Sequence, residues 1–383
     1  MTPLAWLFVL AGVVSLDVRM MPAILPAIAA SLGATAGGAG LSMTAYAVPY
    51  GLMQVVYGPL SDRYGRIRLI RATALLFAVG TLLSGLAADL WGFLGARLVT
   101  GMFAAATIPT TFAYIGDTVH YAQRQKVVGR FASVFSAAQA LSATIAGTVT
   151  HFVSWRVLFY AYAVLTVVTV AAMRGTPEAP HSAPAARIRY ADIVRIGRAM
   201  RVYVAAFVEG FLLWGGSTYM GVLASQRFGW NDLQVGVLIA CYGAGTVVGG
   251  LSLGRLAAVL DERRLASWGG LTQLFGFGLL ALPLPWPLFA LGLAAIGLGL
   301  ATLHSTIQTR GTELVPSARG KSFSLFALAF FVGGSVGTAV FSRLVDNGLI
   351  ALVMASCGIG LAAVGQFVAR EKPLERARSR APN

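Results

Sequence analysis

Charged residues are scarce in this sequence. Only 11% of its 383 residues are Asp, Glu, Lys or Arg, whereas 57% are hydrophobic. Soluble globular domains carry about 25% charged residues, so a soluble globular chain is excluded. Acidic residues are especially few, with 14 Asp and Glu against 29 Lys and Arg. This composition is typical of a protein that crosses the membrane many times.

The sequence also has few groups suited to covalent or metal chemistry. Its two cysteines, Cys241 and Cys357, lie in separate apolar runs, so we expect neither a disulfide nor a metal site. It contains no recognisable glycine-rich phosphate loop, metal-ligand cluster or pairing of a nucleophile with a base. An ATP-driven pump and a membrane enzyme are therefore disfavoured, and we expect no cofactor.

Apolar runs fill most of the chain. A membrane helix needs about 20 apolar residues, and on this criterion the sequence predicts an all-α polytopic membrane protein with twelve transmembrane helices. The predicted spans are residues 4–30, 41–60, 70–87, 90–115, 128–149, 155–173, 202–224, 234–256, 267–282, 287–307, 322–341 and 349–368.

The spans fall into two six-helix bundles. The first bundle covers residues 1–173 and the second covers residues 202–370. A Pro-rich and then basic linker at 174–201 joins them, and a basic tail at 371–383 follows. We expect part of the linker to form a surface helix on anionic lipid, since clustered basic residues are attracted to anionic headgroups.

Lys and Arg residues are distributed unevenly between the predicted loops. Most lie in one set of alternating loops and in the tail; the exceptions are Arg156, Arg227 and Arg343 in the other loops, and Arg19 and Arg97 inside helices. This asymmetry follows the positive-inside rule and places both termini in the cytoplasm. It also explains the net charge of +15 without a nucleic-acid partner.

The two halves resemble each other at one constant offset. Tyr50–Gly51 aligns with Tyr242–Gly243, and the same offset aligns Asp17 with Glu209. These two acids are the carboxylates well inside the predicted helices. Because repeated halves are typical of secondary transporters, we expect two pseudo-symmetric bundles.

A polar segment separates the second and third predicted helices. From Gly58 it reads Gly-Pro-Leu-Ser-Asp-Arg-Tyr-Gly-Arg-Ile-Arg, and we expect a tight loop in which Gly58 and Gly65 allow a sharp reversal. Asp62 can hydrogen-bond across this loop, while Arg63 and Arg66 hold it at the lipid headgroups. The pattern resembles the signature loop of the major facilitator superfamily of secondary transporters.

That resemblance implies a central cavity that opens alternately to the two sides of the membrane. It also implies that Asp62 stabilises the outward-open state by meeting the N-terminal end of helix 11, near Ser322. A helix N-terminus carries a partial positive charge, which favours a carboxylate there.

Two further stretches resemble the drug:proton antiporter group of the superfamily. They are Leu16–Asp17 followed by Pro26 in helix 1, and Arg97–Gly101 in helix 4. Helix 5 departs from that group, because residues 128–149 contain no proline. The resemblance therefore implies a transporter more firmly than it implies an antiporter.

Ionisable side chains inside membrane helices normally face a partner or a wet cavity, because burying them in lipid is costly. Here they are Asp17, Arg19, Arg97, Glu209 and His304. They lie on helices 1, 4, 7 and 10, which line the central cavity in the superfamily. We expect Asp17, Glu209 and Arg97 to exchange protons or bind substrate. A static ion pair of Asp17 with Arg97 or Arg19 is the alternative.

Other candidates for the cavity lining are mostly aromatic or sulfur-containing, which suits a pliable pocket. The full set is Arg19, Met21, Phe103, Trp214, Tyr219 and His304. Arg19 is two positions from Asp17, or about 200° around a helix, so we expect it to point toward a neighbouring helix of its own bundle.

The predicted function is proton-coupled efflux of a small amphiphilic organic compound, such as a drug or metabolite, by a monomer in the bacterial inner membrane. A transporter of one specific metabolite, such as a sugar or a siderophore-like chelator, is the alternative. A lipid flippase or a transporter-like sensor is less favoured, since neither an extended basic headgroup pocket nor an added soluble domain is seen in the sequence.

Overall fold

The computed structural model describes residues 3–179 and 189–371, which contain helices and their connections. The predictions for residues 180–188 of the linker and 372–383 of the tail fall outside the described residues. The helices of the first half are α1 (Pro3–Arg19), α2 (Met21–Ser31), α3 (Ala36–Tyr64), α4 (Arg66–Leu86), α5 (Leu90–Ala104), α6 (Thr107–Thr118), α7 (Tyr121–Phe152) and α8 (Trp155–Ala172).

A short linker helix, α9 (Tyr190–Val194), precedes the second half. The helices of that half are α10 (Gly197–Thr218), α11 (Met220–Phe228), α12 (Asp232–Val259), α13 (Glu262–Ala281), α14 (Trp286–Glu313), α15 (Arg319–Asp346) and α16 (Ile350–Arg370). If α1–α2, α5–α6 and α10–α11 are each counted as one broken helix, these segments correspond one to one to the twelve predicted spans.

The first broken helix bends sharply. The axes of α1 and α2 differ by 55° at Met20. Pro22, the second residue of α2, has no backbone N–H and clashes with the preceding turn, so an unbroken helix cannot continue through it. The bend brings Arg19 and Met20 to the centre of the molecule rather than to a helix end at the surface.

Most of the long helices are apolar enough to cross a membrane. Among the described residues, nine helical segments meet criteria of length and hydropathy, or ten if the bent α1–α2 pair is one span. Helices α3 and α13 are not among them, although they are 29 and 20 residues long. Helix α13 begins with three charged residues, whereas α3 has glycines, prolines and polar side chains along most of its length.

The polar segment after helix 2 is mostly helical, and the prediction of a tight loop beginning at Gly58 is wrong here. Helix α3 continues through Tyr64, so Gly58 and Asp62 lie in its last turns. Only Gly65 is non-helical, with φ at 98°, a value that glycine adopts without strain. A Cβ there would also lie 2.7 Å from the carboxyl carbon of Glu178. The reversal therefore depends on Gly65 alone.

Two faces of the molecule are needed to describe how the halves meet. We call the end that carries residues 65, 119–120, 173–179, 189–196, 260–261 and 314–318 the linker face, and the opposite end the far face. Helix α3 packs along α15, α7 packs along α12, and α2 packs against α11. These three contacts join the first half to the second.

The contacts are close at the far face. A Cβ on Gly221 of α11 would lie 1.8 Å from the carbonyl oxygen of Pro22, and a Cβ on Gly147 would lie 2.8 Å from the Cα of Gly236. Nearer the linker face, Cβ atoms on Gly129, Gly250 and Gly254 would meet nothing within 4 Å. The two halves therefore touch at the far face and diverge toward the linker face.

The linker helix bridges the diverging ends. Its first residue, Tyr190, donates a 3.2 Å hydrogen bond to the carbonyl of Val55 on α3. The ammonium of Lys321 on α15 lies 5.7 Å from the centre of the same ring. Asp192 caps α9 by accepting from the backbone of Arg189 at 3.1 Å, and hydrogen bonds from the Arg189 side chain lower the pKa of the Asp192 carboxyl.

Candidate functional site

A fully buried ion pair joins helices 1 and 4. Nη1 of Arg97 on α5 lies 2.9 Å from each carboxylate oxygen of Asp17 on α1, and both side chains are 0% exposed. The guanidinium also lies over two rings, 4.7 Å from the centre of Tyr46 and 5.7 Å from that of Phe159. Nε and Nη2 of Arg97 have no hydrogen-bond partner among the described residues. Asp17 is thus its counter-ion within the first half.

A second polar pair joins helices 7 and 10. Nδ1 of His304 on α14 lies 3.2 Å from Oε2 of Glu209 on α10. The glutamate is 0% exposed, whereas the histidine is 23% exposed. Oε1 of Glu209 has no partner in the described part of the chain. The imidazole of His304 thus contacts the buried carboxylate of Glu209 and remains partly exposed.

These two pairs connect equivalent helices of the two halves, the first with the fourth in each case. The sequence aligned Asp17 with Glu209, and the structure gives each acid a basic partner on the corresponding helix. The partners differ in chemistry. A guanidinium stays protonated at any physiological pH, whereas an imidazole titrates near neutrality.

Arg19 stands between the two halves, where α1 ends. Its Nε donates a 2.7 Å hydrogen bond to Oε1 of Gln139 on α7. Its Nη1 lies 3.4 Å from the hydroxyl of Tyr242 on α12. The contact with Gln139 agrees with the prediction that Arg19 points toward its own bundle. The contact with Tyr242 was not predicted, because it joins Arg19 to the second half.

Two cavities meet at Arg19. One, of about 50 Å³, is bordered by Arg19, Gln139 and Tyr242 together with Ser136 and Ser217. The other, of about 100 Å³, has an aromatic wall. Its rings belong to Tyr46, Tyr50, Phe135, Trp214 and Phe331.

Several predicted lining residues lie elsewhere. Met21 is fully buried in the core, and neither it nor Phe103 borders these two cavities. Tyr219 is buried at the break between α10 and α11, where its hydroxyl lies 3.0 Å from the carbonyl of Thr338. Trp214 does line the second cavity. The break at Tyr219 explains the difference, since it turns this ring toward the far face.

The signature residues form a compact network at the linker face. Arg66 contacts the carboxylate of Asp62 at 2.5 Å and that of Asp117 at 3.0 Å, and it also binds the hydroxyl of Ser61. The Asp62 side chain remains 58% exposed. Arg63 lies over the ring of Tyr64, 5.4 Å from its centre. Among the described contacts, Asp62 has none with the start of α15.

Sequence reasoning missed Gln139, Tyr190 and Asp346. Gln139 is the single amide side chain in the mostly apolar stretch between Arg130 and Phe152, which is a signal in the sequence. Asp346 lies at the end of α15 and accepts from the far-face end of α3, a contact between residues that are distant in sequence. No local pattern indicates it.

The fold matches that of known transporters. The model of the Major Facilitator Superfamily matches residues 7–338 and, in a second match, 202–381. The chain belongs to the major facilitator superfamily. The predictions of this family and of an all-helical, multi-pass membrane fold are thereby confirmed, and the chain is a secondary transporter rather than an enzyme.

Relatives within the superfamily include drug-resistance proteins. A chloramphenicol resistance protein of Pseudomonas aeruginosa is 25% identical over 374 residues, covering 92% of this chain and 88% of that protein. A class G tetracycline resistance protein of Vibrio anguillarum is 28% identical over 311 residues, covering 76% and 79%. Among solved structures, a D-xylose-proton symporter has a TM-score of 0.79 at 13% identity, covering 96% of this chain and 95% of that one. That last similarity concerns the fold alone.

Proposed function

We propose that this superfamily member exports a small amphiphilic organic compound in exchange for protons, acting as a monomer in the bacterial cytoplasmic membrane. The linker face, rich in Lys and Arg, is the cytoplasmic side, so the divergence of the halves describes an inward-facing state. Resistance proteins among the relatives support export. The aromatic cavity beside Arg19 supports an amphiphilic cargo.

The observation that carries proton coupling is the Glu209–His304 pair. With one proton the Glu209–His304 pair has no net charge, and without it the buried carboxylate carries one negative charge, so gain or loss of a single proton changes the charge inside the second half. In this proposal His304 collects the proton and Glu209 retains it while the transporter changes state. Both groups lie on helices that line the cavity in the superfamily.

Asp17 is the second acid proposed for coupling, and its constraint is different. Protonation of Asp17 would leave the buried Arg97 without its counter-ion, which is strongly unfavourable. Proton exchange there requires another anion or water to reach Arg97 at the same time. Asp17 and Arg97 therefore act together, either as a substrate-sensitive pair or as a fixed connection between helices 1 and 4.

The gate proposed for the cytoplasmic side uses the signature residues. Arg66 fixes the end of α3 through Asp62 and Asp117, and Gly65 permits the reversal. When the halves close at this face, Asp62 meets the N-terminal end of α15, whose partial positive charge attracts it. In the present inward-facing arrangement Asp62 is exposed because that partner is distant.

Proteoliposomes with an imposed pH gradient test this function. Extrusion of chloramphenicol or a cationic dye that dissipates the gradient supports antiport. Glu209→Gln should abolish uphill transport while preserving exchange of labelled for unlabelled substrate, because exchange needs no net proton movement. Accumulation of a compound in the same direction as proton flow would overturn antiport. It would favour the alternative, a symporter of one specific metabolite. The 32-residue α7 also favours this alternative, because it lacks the proline that is typical of helix 5 in the antiporter group.

A further inference from the structure

Arg19 differs from the other intramembrane charges in lacking an acidic partner. Within the described residues, no carboxylate lies within ion-pair distance of its guanidinium. Asp17 is engaged by Arg97, and Glu209 is engaged by His304. The two acids and two arginines inside the predicted helices therefore do not form two matched ion pairs. One full positive charge remains at the meeting point of the two halves.

The neighbours of Arg19 position this charge without neutralising it. Gln139 accepts from Nε at 2.7 Å, and the hydroxyl of Tyr242 lies 3.4 Å from Nη1. A guanidinium carries five N–H groups, and these two contacts leave donors on the remaining nitrogens. Neither the amide nor the phenol is ionised near neutral pH. The fork of Arg19 is thus held in place with donors available for an oxygen anion.

The two cavities provide room for an anion and for the body attached to it. The smaller cavity supplies hydroxyls from Ser136 and Ser217 beside the guanidinium. The larger one supplies flat apolar surfaces, including Trp214 and Phe331, whose ring centres are 4.9 Å apart. Arg19 borders both cavities, so a charged group and an aromatic wall lie next to each other.

We infer that Arg19, Gln139 and Tyr242 form a subsite for the carboxylate or similar oxygen anion of an amphiphilic organic substrate, with its planar apolar part against Trp214 and Phe331. This inference rests on the proposed transport of an amphiphile and defines its charge. Gln139 orients the guanidinium from the first half and Tyr242 contacts it from the second. An anion bound there lies across the interface that opens and closes.

Equilibrium binding to the purified full-length protein tests the subsite with three probes of one shape: 2-naphthoate, 2-naphthamide and 2-naphthylmethylammonium. Wild type should bind naphthoate at least tenfold more tightly than the other two probes. Arg19→Gln should remove that preference, so that naphthoate binds no more tightly than naphthamide, and Arg19→Lys should retain part of it. Because a guanidinium stays charged in this range, the preference should persist from about pH 6 to about pH 8.

Equal affinity for the three probes, tighter binding of the ammonium, or no saturable naphthoate binding at millimolar concentration would overturn the inference. So would an Arg19→Gln protein that keeps the preference. If Arg19→Gln fails to fold, the wild-type ranking and Arg19→Lys still decide. The binding assay contains no proton gradient, so its result does not depend on whether the protein exports substrate in exchange for protons. A failure of the anion subsite can therefore be distinguished from a failure of the proposed export.

Discussion

The carboxylate of Asp346 caps the N-terminal end of α3, 309 positions away in sequence, by accepting a 2.7 Å hydrogen bond from the backbone N–H of Gly37. Its other oxygen accepts a 2.8 Å hydrogen bond from the hydroxyl of Thr35. The contact fastens the end of helix 11 to the start of helix 2 at the far face. The contact expected for Asp62 is its counterpart on the opposite side of the membrane, where the end of helix 2 would meet the start of helix 11.

Asp346→Asn should shift the protein away from the present state. The charge at a helix N-terminus and its charge-assisted hydrogen bond are together worth about 1–2 kcal/mol. The equilibrium between the two states should therefore move about 5- to 30-fold toward far-face opening. Spin labels at the exposed positions Ala88 and Leu282, with Cys241 and Cys357 replaced, report this as a larger population of long distances.

Asp89→Asn is the matched control. Asp89 also caps a helix at the far face, accepting from Gly92 at 2.8 Å, but it does so within one half. Its replacement should leave the distance distribution unchanged. If Asp346→Asn and Asp89→Asn give the same distribution, Asp346 does not hold the halves together.

Asp62→Asn should act in the opposite direction with the same labels. Asp62 lacks an inter-bundle contact here, and Tyr190 lies near the gap between α3 and α15. In this state, loss of its charge should remove only the exposed ion pair with Arg66, which contributes little. It should weaken the closed linker face by about 1 kcal/mol, the value for a charge at a helix N-terminus. The long far-face distances should decline. An increase in them would contradict the gate assigned to the signature residues.

Removal of the two buried acids should have unequal effects on folding. Asp17→Asn leaves Arg97 buried and unpaired, which should destabilise the protein by about 3–5 kcal/mol. The double variant Asp17→Asn with Arg97→Gln should recover much of that loss, because no unpaired charge remains. Glu209→Gln leaves only an imidazole that can be neutral, so its thermal unfolding should be nearly normal while coupling is lost. Thermal denaturation in detergent would show whether this order holds.

Close backbone contact at the far face gives a further test. Gly221→Ala would place a methyl group against the carbonyl of Pro22, so the halves must separate there. We expect a larger population of open far faces from the spin-label distances. Gly278→Ala is the control, because a Cβ at Gly278 meets nothing within 4 Å. An unchanged distribution in Gly221→Ala would mean that α11 and α2 adjust locally.

The sequence predicted the helices because hydrophobic length is a local property. The spans, the two halves and the alignment of Asp17 with Glu209 follow from composition and repetition along the chain. The extent of α3 through Asp62 was missed because its polar end looks like a loop when only hydropathy is considered. Helical hydrogen bonds satisfy its backbone despite the charged side chains.

Partnerships between distant residues could not be predicted in the same way. His304 was treated as a separate candidate, although it contacts Glu209. Arg19 was expected to favour its own bundle, yet Tyr242 approaches it from the other. Both contacts depend on how helices rotate and where helix 1 bends at Met20. Such rotations are decided by tertiary packing, which hydropathy does not encode.

The charge of the cargo determines how strongly membrane potential drives export, and this gives the last prediction. Moving one charge through about 100 mV is worth about 2.3 kcal/mol. If one proton enters for each organic anion that leaves through the Arg19 site, two charges move in the favourable direction under an inside-negative potential. Exchange of one proton for a neutral molecule moves one charge. Currents recorded from proteoliposomes, divided by the substrate flux, should therefore be twice as large for 2-naphthoate as for 2-naphthamide. A ratio near one would mean that naphthoate crosses as the protonated acid, with no unpaired anion at Arg19. A ratio of two in the wild type that falls in Arg19→Gln would show that the guanidinium is needed to carry the substrate as an anion.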